Sequence, residues 1–184
     1  MGRGILRSAV AVVSGWIVVT GGYILTSAVF GLFNPDTFTP AVPLPAGWLL
    51  VTLVASAIWS VIAGFVTAVF AQRREVGHAI ALVLLSLIVS LYFVSTNENL
   101  GQVPAWYMIA GEVLTSVAIL VGGWLRKNQR ILLGRLSKGA TGTVASISLA
   151  ADRWWFLIAV VVTFITFLAC FWALVLGAGQ GLLW

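Results

Sequence analysis

A carboxylate in an apolar stretch is the first residue of this sequence that could do chemistry. Glu112 lies within PAWYMIAGEVLTSVAIL, residues 104–120, which contains no Lys or Arg. An ionisable side chain within a membrane-spanning segment marks a candidate functional site, because its charged form is costly to desolvate. Burial without a countercharge favours the neutral acid. We therefore expect Glu112 to be protonated and hydrogen-bonded.

Three roles for Glu112 are compatible with a position inside a membrane span. It could be the site of a proton-coupled carrier, a buried residue that joins helices through a hydrogen bond, or a contact to another subunit, ligand or pigment. Matching depths on neighbouring spans nominates its hydroxyl partners, which are Ser56, Ser60, Ser86, Ser90, Tyr23 and Thr26.

His78 is the only histidine in the chain. Glu75 lies three residues before it, so a helix places both on one face, which is half of a carboxylate di-metal pattern. The second half is absent. A lone histidine near a membrane can also be the axial ligand of a haem iron or of a chlorophyll magnesium. We prefer an interfacial histidine that touches headgroups and keep His78 as a candidate axial ligand; no cofactor is predicted, and contacts with lipid or pigment remain open.

The remaining inventory of chemical groups is small. A single cysteine excludes a CxxC metal site, and no segment matches the phosphate-binding pattern GxxxxGK[ST]. One histidine at the edge of a span cannot complete a Ser-His-Asp set with the right spacing. We therefore do not expect an enzyme.

The composition indicates what must position these residues. The chain has 184 residues, of which 61% are hydrophobic and 8% charged, whereas soluble domains carry about 25% charged residues. This predicts an integral membrane protein. Its spans must be helices, because open strands leave backbone groups unpaired in lipid. Nucleic acid is excluded as a partner, because the basic residues fall between apolar spans.

Five spans are predicted, covering about residues 8–33, 48–71, 78–94, 104–125 and 154–176. Short loops join the first four, so residues 1–126 should form a four-helix transmembrane bundle. Residues 127–152 are predicted to be a basic cytoplasmic linker at the membrane interface, with a short amphipathic helix over about 128–136. Residues 153–184 should form a fifth, tethered transmembrane helix and an outer tail.

The basic residues predict the orientation. With the N-terminus in the cytoplasm and the C-terminus outside, all ten Lys and Arg residues fall on the cytoplasmic side, as the positive-inside rule requires. Anionic lipid headgroups are therefore expected partners. The residues predicted to contact them are Arg73, Arg74, Arg126, Lys127, Arg130, Arg135 and Lys138.

Small residues recur at a spacing of four, which lets helices approach closely in lipid. The predicted packing positions are Ser56, Ser60, Gly64 and Ala68 on span 2, Ser86 and Ser90 on span 3, and Ala169, Ala173 and Gly177 on span 5. Several such stripes favour a compact bundle. The span 5 stripe has no obvious partner among the first four spans, so it could equally face another subunit.

A resemblance to known membrane proteins rests on two segments, VIAGFVTAVFAQRREVGHAIALVLLSLIVSLY and PAWYMIAGEVLTSVAILVGGWLR. They combine a glycine-containing helix end, a basic turn, a His-Ala helix start and a Pro-x-Trp-Tyr opening. Residues 1–126 thereby resemble small four-helix proteins of the bacterial inner membrane, which implies a multi-pass protein at that location. The family supplies no activity to carry over, and span 5 departs from its pattern as an extension.

Two functions remain open. The first is a non-catalytic accessory subunit that packs against other membrane-protein subunits, as small proteins of respiratory and photosynthetic complexes do. The lack of catalytic, metal-binding and phosphate-binding motifs favours this function, and so do the small-residue helix faces. The second is a small proton-coupled carrier that uses Glu112, and only this residue and its polar neighbours favour it.

Overall fold

The described residues form five helices. A computed structural model describes residues 2–33, 46–71, 74–96, 104–139 and 153–168, and their side chains except those of residues 2–4 and 135–139. The helices are α1 (Gly2–Phe33), α2 (Ala46–Ala71), α3 (Glu75–Thr96), α4 (Ala105–Gly139) and α5 (Arg153–Leu168).

Four of these helices are long and apolar enough to cross a membrane, which confirms an all-α protein with four candidate spans. The described part of α5 rises about 24 Å at 1.5 Å per residue, less than the roughly 30 Å of a hydrocarbon core. The rest of the predicted fifth span, with Ala169, Ala173 and Gly177, lies outside the described residues.

Helix α4 is longer than the predicted span. It continues without a break to Gly139 and has 35 residues, so the segment predicted to be a separate short helix forms its last turns. The sequence between Arg126 and Leu133 has neither glycine nor proline, and Arg, Lys, Gln and Leu are good helix formers. The polarity of this segment predicted a change of element, but its backbone propensity favours continuation.

Two ends of the bundle are defined by contacts between the helices. At the basic end, where α1 starts and α2 finishes, Arg7 Nε donates to the carbonyl oxygen of Phe70 over 3.2 Å. At the opposite end, the rings of Phe30 and Trp48 lie 4.1 Å apart. Helices α1 and α2 are therefore antiparallel. Helix α2 is central and packs most extensively against α4 and α1, while α3 covers a smaller part of it.

Glycine allows α2 and α4 to meet backbone to backbone. A Cβ atom on Gly64 would lie 2.0 Å from the carbonyl oxygen of Ile119, and one on Gly122 would lie 2.1 Å from that of Val61. Neither position has room for a side chain. Thr52 hydrogen-bonds Tyr107, and Gly64 meets Ile119 further along both helices, so α2 and α4 run parallel overall.

Helix α5 packs against α1 and α2. Ala159 is buried in one cluster with Val18 and Val66, and a Cβ atom on Gly21 would lie 2.6 Å from the carbonyl oxygen of Thr166. The first four spans thus provide a partner for the described part of the fifth helix.

Helix α3 is packed on fewer sides than its neighbours. Only Ala79 and Leu82 are buried, and both lie in its half near the basic end. Every residue from Leu91 to Thr96 is exposed. Its last turns therefore present all their faces to the surroundings.

Candidate functional site

Polar side chains follow α2 through the interior of the bundle. Near the opposite end, the Thr52 hydroxyl lies 2.9 Å from the carbonyl oxygen of Trp48 and 2.7 Å from the hydroxyl of Tyr107 on α4. Since a threonine in a helix commonly donates back to a carbonyl one turn earlier, Tyr107 is the donor between the two hydroxyls. This hydrogen bond joins α2 and α4 within the apolar bundle.

Deeper in the bundle, three buried oxygens have no hydrogen-bond partner among the described residues. They are Ser60 Oγ, Thr67 Oγ1 and Glu112 Oε1. A buried polar atom without a partner costs about 1–3 kcal/mol, and native proteins supply one through a side chain, a ligand or an ordered water. The three atoms thus mark a polar interior whose hydrogen bonding the described residues do not complete.

The register of the helices gives the level of Glu112. Thr52 meets Tyr107 and Gly64 meets Ile119 across the parallel helices α2 and α4. The same register places Glu112 level with Ala57, about 4.5 Å along the helix axis from Ser60. Glu112 shares a helix face with Ile119 and with Gly123, whose Cβ would contact Ala79 of α3.

The expected hydroxyl partners take other positions. Thr26 donates to the carbonyl oxygen of Gly22 over 2.9 Å and accepts from Trp59 Nε1 over 3.2 Å. Tyr23 is exposed, whereas Ser56, Ser86 and Ser90 are half-buried. Extending the antiparallel register of Ala79 with Gly123 places Ser90 level with Glu112. None of these hydroxyls bonds Oε1 of Glu112.

The small-residue stripe of α2 lies between its neighbours. Ser60, Gly64 and Ala68 are buried, whereas Ser56 is half-buried. Gly64 is the position at which α4 approaches most closely. The stripe therefore faces the interior of this chain over most of its length.

An ion pair links α3 to α4 at the basic end. Arg130 Nη1 lies 2.5 Å from Glu75 Oε1. One turn earlier on α4, Arg126 is only 6% exposed; it donates to Gln129 over 3.0 Å and lies 5.9 Å from the ring centre of Phe65. These groups extend the contact between the helices beyond their apolar segments.

The residues predicted to contact headgroups differ in their exposure. Arg74, Lys127 and Arg130 are exposed, as a headgroup contact requires, whereas Arg126 lies inside the basic end. Arg73 and the side chains of Arg135 and Lys138 lie outside the described residues.

His78 joins α3 to α1. Its Nδ1 lies 3.0 Å from the carbonyl oxygen of Arg74, and its Nε2 lies 2.9 Å from the hydroxyl of Ser8. A carbonyl oxygen only accepts, so Nδ1 carries a proton, while Nε2 forms a second hydrogen bond with the Ser8 hydroxyl. Both ring nitrogens are thus engaged within the chain. An axial-ligand role would require Nε2 to exchange Ser8 for the metal.

Within the described ranges, no group of three or more His, Cys, Asp and Glu side chains could hold a metal ion. The chain matches no known family model, and neither curated proteins nor solved structures provide a match. A functional proposal for this protein therefore rests on the geometry of its own residues.

Proposed function

We propose that this protein is a non-catalytic accessory subunit of a larger membrane complex, of the size class found in respiratory and photosynthetic assemblies. The thin packing of α3 carries the proposal. The share of residues buried within the chain is 11% in the apolar window of α3, against 33% in α1 and in α2. A helix with so few internal contacts has most of its surface available to another protein.

The exposed end of α3 is large and apolar. Leu91 and Tyr92 are each 68% exposed and Phe93 is 60% exposed. Lipid chains would solvate such a surface, so exposure alone does not require a protein partner. The additional requirement comes from Glu112.

Glu112 needs a hydrogen bond that lipid tails cannot supply. Its Oε1 has no partner among the described residues, and by register it lies level with Ser90 of the thinly packed α3. A helix from a neighbouring subunit, packed along α3 and α4, would cover the apolar surface and could hydrogen-bond the carboxyl group of Glu112, whose side chain is only half-buried. Polar side chains join transmembrane helices in this way.

The orientation inferred from the sequence completes the proposal. The basic end faces the cytoplasm of a bacterial inner membrane, where anionic headgroups meet the exposed cations Arg74 and Lys127. The partner contacts the bundle towards the opposite end, since the last turns of α3 lie there.

Site-specific photo-crosslinking in the native membrane tests the subunit proposal. A photoreactive residue at Phe93 should yield one defined adduct with another membrane protein, and the complex should be larger than the 19.6 kDa chain. The matched position is Ile58 on α2, which is 55% exposed and should yield only lipid adducts. Lipid-only adducts at both positions from a stable monomer would contradict the proposal.

Glu112 variants connect the contact to the carboxyl group. Glu112→Gln keeps a hydrogen-bonding side chain of similar size, so the adduct at Phe93 should persist. Glu112→Leu removes the hydrogen bond, and the adduct should weaken. An equal adduct in both variants would show that Glu112 takes no part in the contact.

A second candidate function, a small proton-coupled carrier, is favoured by the unpaired oxygens. Ser60 and Thr67 lie about 10 Å apart along α2, and Glu112 lies beyond Ser60 towards the opposite end. Waters bridging these oxygens would form part of a proton path, with Glu112 as the group that takes up and releases the proton.

The same substitution separates the two functions. A carrier needs an ionisable group, so Glu112→Gln should abolish uptake driven by a pH gradient while leaving the protein folded. A subunit needs only the hydrogen bond and should tolerate glutamine. If pH-gradient-driven uptake of every tested substrate is the same in Glu112→Gln and in the unchanged protein, the carrier is excluded.

A further inference from the structure

A groove lies at the basic end where α1, α2 and α5 meet. Its volume is about 340 Å³, and the residues that line it are Leu6, Arg7, Val10, Phe70 and Phe156. Four of these side chains are apolar and one is a cation. None of them belongs to the polar interior around Glu112.

Arg7 is held in place from one side. Its Nε donates to the carbonyl oxygen of Phe70, near the end of α2, over 3.2 Å. This bond uses one N–H of a guanidinium group that has donors on all three nitrogens. Its side chain is exposed, and Nη1 and Nη2 have no hydrogen bond to a described residue. A guanidinium fork of this kind matches two oxygens of a phosphate group.

The apolar wall of the groove begins beside this cation. Leu6 and Val10 lie one turn apart on α1, so their side chains follow the helix axis. The rings of Phe70 and Phe156 meet edge to face at 5.3 Å and close the other side. Arg7 lies near the start of the candidate span Ile5–Phe33. A cation at the start of a span, next to an apolar wall, matches a phosphate group followed by an acyl chain.

We propose that this groove binds an anionic glycerophospholipid. Arg7 holds the phosphate, and Leu6, Val10 and Phe156 contact one acyl chain. Arg153 lies one turn before Phe156 on the same face of α5 and is exposed, so a second cation lies at the same end of the groove. Two cations favour a headgroup with net negative charge over a zwitterionic one.

Two other occupants fit the groove less well. A second copy of this chain would need a carboxylate to face Arg7, but of the described acids Glu75 pairs with Arg130 and Glu112 has an oxygen buried within the bundle. Free phosphate would satisfy Arg7 but leave the apolar wall uncovered. A lipid satisfies both parts of the groove.

Native mass spectrometry of the purified full-length protein measures this binding. The probes are phosphatidylglycerol, phosphatidylcholine with the same acyl chains, and glycerol phosphate as a headgroup without chains. Phosphatidylglycerol should bind most tightly, and Arg7→Gln should weaken it about fivefold, the effect of one basic residue at a membrane surface.

A pair of variants tests the apolar wall without changing charge. Val10→Trp places a bulky ring in the groove and should also weaken phosphatidylglycerol binding, whereas Val13→Trp, on an exposed face that does not line the groove, should not. This pair decides the matter if Arg7→Gln fails to fold. The proposal is overturned if Val10→Trp binds like the unchanged protein, or if phosphatidylcholine or glycerol phosphate binds as tightly as phosphatidylglycerol.

Discussion

Hydroxyl groups on the same helix of this protein are paired to different degrees. Thr52 bonds a carbonyl one turn earlier and accepts from Tyr107, whereas Ser60 and Thr67 are buried without a partner among the described residues. A threonine on the water-exposed surface of a soluble protein loses little when unpaired, because water replaces the partner. Inside an apolar bundle the same loss is larger, so Ser60 and Thr67 mark where further polar groups belong.

Gly64 is the residue at which substitution should cost most. Its Cβ position is 2.0 Å from a backbone oxygen of α4, and backbone cannot rotate away as a side chain can. Gly64→Ala should therefore force α2 and α4 apart and lower the free energy of unfolding by about 1–3 kcal/mol, the usual cost of overpacking. Thermal unfolding in detergent measures the change.

Gly134 on α4 provides the control. A Cβ atom there meets nothing within 4 Å, so Gly134→Ala adds only helix propensity and should stabilise the protein by up to about 1 kcal/mol. Equal effects at the two glycines would show that α2 and α4 do not meet at Gly64.

At the scale of elements, the length of α4 is the feature that differs most from the predicted organisation. The apolar and basic parts belong to one helix of 35 residues, and Arg130 meets Glu75 of α3 beyond the apolar segment. The basic turns of α4 therefore extend its contact with α3 beyond the apolar segment.

Pulsed EPR distances test the continuity of α4. Spin labels at Leu114 and Leu132, introduced as cysteines in a Cys170→Ser background, lie on one exposed face. A straight helix separates these positions by about 27 Å, whereas a right-angle bend after Arg126 would reduce the distance to about 20 Å. The longer distance is expected. A matched pair on α2, Val51 and Ile58, should give about 10.5 Å by the same rise, which continuous-wave spectra can check.

Hydropathy alone predicted the four long helices because lipid imposes their length and requires their backbone groups to bond internally. The end of α4 was harder to predict, because polarity and helix propensity disagree after Arg126. None of the hydroxyls nominated as partners of Glu112 bonds its Oε1. Depth matching ranks hydroxyls by level, but a hydrogen bond also depends on which way each helix is rotated.

At the scale of the whole molecule, the basic end should face the cytoplasm. All ten Lys and Arg residues fall on one side of the predicted topology, and the resulting preference is one of the strongest orientation signals in membrane proteins. In a Cys170→Ser background, Ser95→Cys should react with a membrane-impermeant maleimide in intact cells. Lys127→Cys, on the cytoplasmic side, should react only after the membrane is permeabilised. Ser95 and Lys127 are both exposed in the structure, so a difference between them reports the side of the membrane.

Labelling after permeabilisation is the control for labelling in intact cells. Both cysteines should react to the same extent once the membrane is opened, which shows that each is accessible. Reaction of Lys127→Cys in intact cells, with protection of Ser95→Cys, would reverse the orientation.

The central place of α2 has a consequence for how the chain is made. Its small-residue face closes against α4, which leaves the ribosome after α2 and α3 have already been synthesised. During that interval the groups around Ser60 and Gly64 have reached the membrane without their final neighbour. The contact between Gly64 and Ile119 can therefore form only after the fourth span has been translated.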